Sequence, residues 1–488
     1  MTELQHAAKA TRPRIQPAEE GDRRPLSVSA RLGRLQFHQS GKFRVLQFAD
    51  IQDGPKVSKD TISLIEASLD ATRPDLVIFN GNQIAGYDSA YALTSRKRRW
   101  DARPASASSE ASGERYAAAL EHTRELVRAT IEQLVHPLAD RGVPWAVTFG
   151  NHDFQCGLDN DEIESICREF PGCINPERAA DGTTGIAVKH GVKHDVGDME
   201  QDFGLPEQPV IACAPGTFAL SVTDVDRTYD VLGLVLLDSG DYARSGGYGS
   251  PSEAALRFLA DAPGLMAAQS QQLQQDRQDD EQDSPREPRK TPSTLPCMVF
   301  QHFPIEQYYR LLKPVAATAA RAIEGYRNFA GRHFVLNEDK TQPGSYLGEG
   351  VSCPDADSGE FAILDKVGYF AISAGHDHRN AFVGSVPVGT DGDRQMMMVA
   401  SPTSGFGSYG PVPAKRAARL FEFDIRHPYE PRTQLLEYDE LVGKPSAGKA
   451  YAYGMTSESK PDSEGMDLLH RPTWWSKTWN KLVSLFRR

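Results

Sequence analysis

The sequence predicts an α/β fold, a layered α/β/β/α sandwich with two central mixed sheets, and two observations predict it. Short apolar runs rich in β-branched and aromatic residues recur at Phe43 to Ala49, Leu76 to Phe79, Trp145 to Phe149, Val231 to Leu237, Cys297 to Phe300, Tyr369 to Ser373 and Met396 to Ala400. Most are continuous rather than alternating, as strands covered on both faces are. Helical patterns lie between them, and strands alternating with helices give a layered α/β architecture. From about Glu114 to Ala139, Leu120, Val127, Ile131, Leu134 and Leu138 fall near one helix face. Pro137 is expected to kink or end that helix, with Gly142 as a later stop.

A chain of 488 residues holds one large α/β domain with insertions, or two ordinary domains. The composition divides it into a flexible N-terminal segment (1–39), a main domain (40–430), a linker (431–472) and a C-terminal segment (473–488). Two polar stretches near 95–113 and 269–293 read as mobile insertions, because neither buries enough apolar surface to offset chain entropy. The first carries the basic cluster Arg96, Lys97, Arg98 and Arg99, read as a solvated loop in preference to an anion-binding one. A net charge of -12 argues against a nucleic-acid partner. The six cysteines show no CxxC pairing and suggest reduced thiols. With neither a secretory h-region near the N-terminus nor an apolar stretch of about 18 to 20 residues, a cytoplasmic location is expected.

Chemistry-bearing residues cluster where the strands run out. Asp50 follows the first run and Asn82 the second; Gly150-Asn151-His152-Asp153 follows the third, His302 the fifth, and Gly375-His376-Asp377-His378 the sixth. Loops at the carboxyl ends of α/β strands converge, so these side chains are expected in one cleft. Two histidines one residue apart, His376 and His378, offer imidazoles to adjacent cations. Gly150 and Gly375 permit the sharp chain exits.

On the GNHD and GHDH motifs, together with Asp50 and His302, the chain from about Phe43 to Ile425 resembles the calcineurin-like metallophosphoesterases. Within them it is most similar to the branch of fungal Dcr-type phosphatases and plant purple acid phosphatase 29. The resemblance implies a metallophosphoesterase that hydrolyses a phosphate ester, with a phosphomonoester as the expected substrate. It also implies two divalent ions, of Mn, Fe, Zn or Mg. Asp50, Asn82 and His378 would help hold one ion, and Asn82, Asn151, His302 and His376 the other. His152 matches the histidine that acts on the leaving-group oxygen, and Asp153 the acid that orients it; turn residues capping a helix are the alternative. Leu237-Asp238-Ser239 and Ser404 to Gly410 resemble parts of the substrate-side rim, with plain surface turns as an equal alternative. Such a centre acidifies a bridging water and clamps phosphoryl oxygens.

Two positions depart from that pattern. Gln52 stands where the family has a histidine ligand, and Asn82 where it has the bridging aspartate. An amide offers one neutral oxygen in place of two anionic ones. Two unit charges about 4 Å apart interact by roughly 4 kcal/mol at an effective dielectric near 20, so the lost carboxylate weakens metal binding severely. Three outcomes stay open. Asp53 swings in as a substitute ligand; a mononuclear centre forms from Asn151, His302 and His376; or the site binds a ligand or partner without turnover, as a regulatory protein would.

From Thr473 onward, Trp475, Trp479, Leu482 and Phe486 share one helical arc, opposite Lys477, Lys481, Ser484 and Arg488. Such an amphipathic helix suits an anionic membrane surface at the inner face, with docking onto the domain itself as the alternative. The Gly-, Ser-, Pro- and Lys-rich stretch from Gly443 to Gly465 suits a tether.

Overall fold

The computed structural model describes residues 24–101, 110–177, 186–188, 205–280 and 292–443. Two mixed sheets form its centre. One has five strands in the order His427–Glu437, Ala417–Asp424, Lys42–Phe48, Leu76–Asn80 and Trp145–Thr148, the last three parallel. The other has eight, in the order Phe382–Val388, Arg394–Ala400, Ala371–Ala374, Cys297–Gln301, Asp230–Leu237, Thr217–Thr223, Pro209–Ala214 and Ile186–Val188. Its parallel core runs from Arg394–Ala400 to Asp230–Leu237.

The continuous apolar runs are explained by alternation across two buried faces. Phe43, Val45, Leu76, Ile78 and Ala146 point into the layer between the sheets and meet Leu232, Leu234, Leu236, Met298 and Phe300 there. Their neighbours Leu46, Phe48, Val77, Phe79, Trp145 and Val147 face the opposite way, onto Ile65, Leu69, Val127, Ile131 and Leu134 of two helices. Val235, Leu237, Cys297 and Val299 likewise face Phe258, Leu259 and Met266 of a third. Three apolar layers therefore separate four structural ones, which is the predicted sandwich. Truncating a residue of the middle layer such as Phe300 to Ala costs about 3–5 kcal/mol.

Several boundaries differ from the sequence expectation. Residues 24–39 do not form a flexible segment: Ser27 caps a short helix Val28–Leu32, and Leu35 and Phe37 are buried between the sheets. The helix Glu110–Arg141 runs through Pro137, because a proline one turn from the end forfeits a single intrahelical bond; Gly142, at φ +60°, ends it. Residues 269–280 belong to the helix Glu253–Asp280 rather than to a loop, and residues 431–443 continue the last strand into the helix Tyr438–Val442. Residues 1–23, the remaining linker 444–472 and the amphipathic segment 473–488 lie outside the described residues. All six cysteines are free. Among the described residues no helix is long and apolar enough to cross a membrane.

Candidate active site

The strand ends of the two sheets bring Asp50, Gln52, Asn82, Asn151, His152, His302, His376 and His378 into one cleft. Backbone strain marks the place. Asp50, Gln52, Asn82 and His376 all have positive φ, 51°, 44°, 54° and 71°. Non-glycine residues there cost about 1–3 kcal/mol each and persist only where the surroundings fix them. A Cβ on Gly375 would come within 2.8 Å of Asp50 Oδ2, so close approach, beyond a sharp exit, requires this glycine.

Asn82 sits at the centre. Its Nδ2 lies 3.1 Å from Asp50 Oδ1, 3.3 Å from Asn151 Oδ1 and 2.9 Å from His302 Nε2. Its Oδ1 accepts the His152 backbone N–H at 2.9 Å. That contact fixes the amide orientation, since the flipped form would set two donors against each other. Where a bridging carboxylate would accept positive charge, this chain thus presents N–H donors.

Around it, His378 Nε2 and His302 Nε2 approach Asp50 Oδ1 to 3.3 and 3.7 Å, and the His376 N–H donates to Asp50 Oδ2 at 2.6 Å. Burial pushes the Asp50 carboxyl up, but His302, His378 and His376 outweigh it and hold the group well below the usual carboxylate range. Burial makes His302 and His376 less basic, favouring neutral rings. His378 is oriented through Nδ1 by the Tyr409 carbonyl at 2.7 Å. Gln52 is buried, and its Oε1 accepts the Tyr87 hydroxyl at 3.4 Å.

Two side chains are placed otherwise than the sequence suggested. Asp153 does not orient His152. Its two oxygens accept the backbone N–H groups of Asn82, Gly150, Gln83 and Ile84 at 2.8, 2.8, 2.8 and 3.2 Å, pinning the Asn82 loop. Burial lifts Asp153 to about 7 against those four donors. Gln155 Oε1 holds His152 Nδ1 instead, at 2.8 Å, and burial lowers His152 to about 4. Asp53 does not swing in as a ligand, because its Oδ2 accepts Ser58 N–H at 3.0 Å and Thr61 Oγ–H at 2.7 Å at the start of the helix Lys59–Thr72. In the two stretches read as substrate-side rim or surface turns, Ser239 Oγ accepts the Phe303 N–H at 2.8 Å, and Ser404 Oγ accepts the Ala49 N–H at 3.2 Å and donates to the Ala417 carbonyl at 2.7 Å.

Sequence reasoning missed Tyr242, Tyr248 and Gln155. The loop after Asp230–Leu237 lays Tyr242 against Asn151, whose Nδ2 donates to its hydroxyl at 2.7 Å, and Tyr248 edge-on to His376, with ring centroids 4.3 Å apart. The run Gly246-Gly247-Tyr248-Gly249 was the available signal for a tight aromatic turn.

Residues 43–212 match the calcineurin-like phosphoesterase family. Over that span the chain is similar to the calcineurin-like phosphoesterases. The matched span holds Asp50, Gln52, Asn82 and the Asn151–Asp153 motif. "Probable inactive purple acid phosphatase 29" of Arabidopsis thaliana is 19% identical over 94% of this chain and 92% of its own length. "Phosphatase DCR2" of Saccharomyces cerevisiae is 21% identical over 74% of this chain and 47% of its own length, so the chain spans about half of that relative. "Probable inactive purple acid phosphatase 28" of Arabidopsis thaliana is 22% identical over 80% of this chain and 77% of its own length.

Members of this family typically use divalent metals. The donor set here does not fit two of them. Among the described residues Asp50 is the carboxylate in contact with Asn82, His302 and His378, Asp53 and Asp153 being engaged by backbone, and Asn82 turns N–H groups toward the other ligand atoms. Among the described residues no group of three or more His, Cys, Asp or Glu side chains converges as a cation cage. Asn151, His302 and His376 do stay together: His302 Nε2 lies 3.1 Å from Asn151 Oδ1, and the His302 and His376 rings are 5.0 Å apart.

Proposed function

We propose that this chain binds a phosphate ester in the strand-end cleft of a phosphoesterase fold and lacks the turnover of a two-metal hydrolase. The Asn82 amide carries the reading. Its two N–H groups face Asp50 Oδ1, Asn151 Oδ1 and His302 Nε2, putting neutral donors where dications would supply charge. The relatives' names include both a phosphatase and proteins called inactive, so descent within the family is compatible with ligand binding outlasting catalysis.

Hydrolysis of a phosphomonoester at a single divalent ion is the second reading. It is favoured by His376 Nε2, a buried nitrogen beside His302 that has no hydrogen-bond partner among the described residues. Elemental analysis and p-nitrophenyl phosphate hydrolysis with added Mn²⁺ separate the two. The first reading expects less than one bound metal per chain and no turnover above buffer, with both gained in the double variant Gln52→His/Asn82→Asp. Wild-type protein that holds two metals and shows Mn²⁺-dependent turnover overturns it; a single metal with turnover establishes the second.

The proposed setting is cytoplasmic, at an anionic membrane surface reached through residues 473–488, and rests on the amphipathic sequence alone. Liposome co-sedimentation with and without the residues after Pro472 tests it, and equal binding by both forms removes the anchor.

A further inference from the structure

The basic run at 96–99, expected to be solvated, packs against the loop that overhangs the cleft. Arg99 grips Asp238 with two prongs, Nη1 to Oδ2 at 2.7 Å and Nη2 to Oδ1 at 3.0 Å, and its backbone N–H donates to Asp241 Oδ2 at 2.7 Å. Arg96 is buried and pairs with Asp159, the residue that caps the helix Asn160–Arg168. Both guanidinium charges are therefore met by carboxylates.

Arg98 differs. Its guanidinium lies over the Tyr242 ring, 3.8 Å from the centroid, and donates from Nη1 to the Lys97 carbonyl at 3.1 Å. Its charge acts on the Asp241 carboxyl, whose Oδ2 already accepts the Arg99 N–H, and among the described residues no carboxylate forms an ion pair with Arg98 itself. Tyr242 in turn touches the site, accepting Asn151 Nδ2 at 2.7 Å with its ring centroid 6.4 Å from that of His152. A half-buried cation thus rests on an aromatic shelf one ring away from Asn151 and His152.

We propose that Arg98 is the anion-recognition residue of the cleft and takes the phosphoryl oxygens of a phosphate ester. This deepens the ligand-binding reading above and rests on it. The physical case begins with charge. With amides at 52 and 82 the cleft does not gather two dications, so a phosphoryl dianion must find positive charge among side chains. A guanidinium resting over a ring keeps N–H donors for other partners, and its planar fork matches two phosphoryl oxygens. The neighbouring arginines are less suited: Arg96 and Arg99 are neutralised, and the exposed Arg244 lies over Trp100.

Isothermal titration calorimetry of the full chain at low ionic strength, with inorganic phosphate and phenyl phosphate as probes, tests the assignment. Arg98→Ala is expected to weaken both at least tenfold, Arg98→Lys at least threefold because the charge stays and the fork is lost, and Arg244→Ala less than twofold. Circular dichroism checks that each variant is folded; if the alanine variant is not, the lysine variant decides, and unchanged affinity there overturns the proposal. Wild-type affinity retained in folded Arg98→Ala removes Arg98 and leaves the ligand-binding reading intact. Failure of the wild type to bind either probe overturns both.

Discussion

The two sheets furnish chemically different halves of one cleft. The five-stranded sheet contributes Asp50, Gln52, Asn82, Asn151 and His152, one carboxylate, three amides and one imidazole, whereas the eight-stranded sheet contributes the imidazoles of His302, His376 and His378. Both halves keep their backbone geometry, with left-handed residues at Asp50, Gln52 and Asn82 on one side and His376 on the other. What distinguishes them is the kind of donor each presents. The amide half has retained the strained turns that aim its side chains while presenting neutral donors there, so scaffold and ligand charge are separable properties of this fold.

Restoring charge to the amide half is the largest perturbation. Asn82→Asp places a second carboxylate beside Asp50, and roughly 4 kcal/mol of interaction with a nearby cation corresponds to about a thousandfold in affinity. Mn²⁺ titration should show that gain, and thermal denaturation should show the variant less stable than wild type in chelator and more stable with Mn²⁺. An unchanged Mn²⁺ affinity would mean that the missing carboxylate is not what limits metal binding in the amide half.

Next comes the frame of that half. Asp153→Asn leaves a single acceptor oxygen for four backbone donors and should destabilise the protein by on the order of 3 kcal/mol in urea denaturation, since unmet buried donors cost about 1–3 kcal/mol. A loss under about 1 kcal/mol would show that water replaces the carboxylate. Asp53→Ala removes a helix-end acceptor and should cost about 1 kcal/mol. The same change in the Gln52→His/Asn82→Asp background should leave metal content unaltered; a drop would return Asp53 to the ligand set.

The imidazole half has a smaller, pH-dependent signature. Glu360, buried near Gln301 at the end of the strand leading to His302, is lifted by burial from 4.5 to about 8. Its folded form therefore prefers the proton. Its contribution to stability is full below its ordinary value and is lost as the pH rises toward 8. Glu360→Gln should raise Tm by a few degrees at about pH 9 and leave it nearly unchanged at about pH 4.5. Equal shifts at both pH values would assign the effect to packing.

Much of this was legible in the chain. Asp50, Asn82, Asn151, His302, His376 and His378 follow apolar runs, and a parallel sheet delivers such residues to one edge. The roles of Asp53, Asp153 and Gln155 were not legible, because each depends on which backbone N–H or ring nitrogen folding places within about 3 Å, and motif spacing carries no such information. The strand Ala417–Asp424, paired with Lys42–Phe48, and the clasp of Arg98 on Tyr242 were equally hidden, being pairings between segments far apart in sequence.

By itself the sequence determined the layered α/β class, through continuous apolar strands that need both faces covered, and it determined that amides stand at 52 and 82. Only the tertiary structure decided what those amides do. The Asn82 orientation is set by the His152 N–H and its surroundings by a second sheet more than 200 residues away in the chain, and hydrogen-bond direction exists only once those partners have met.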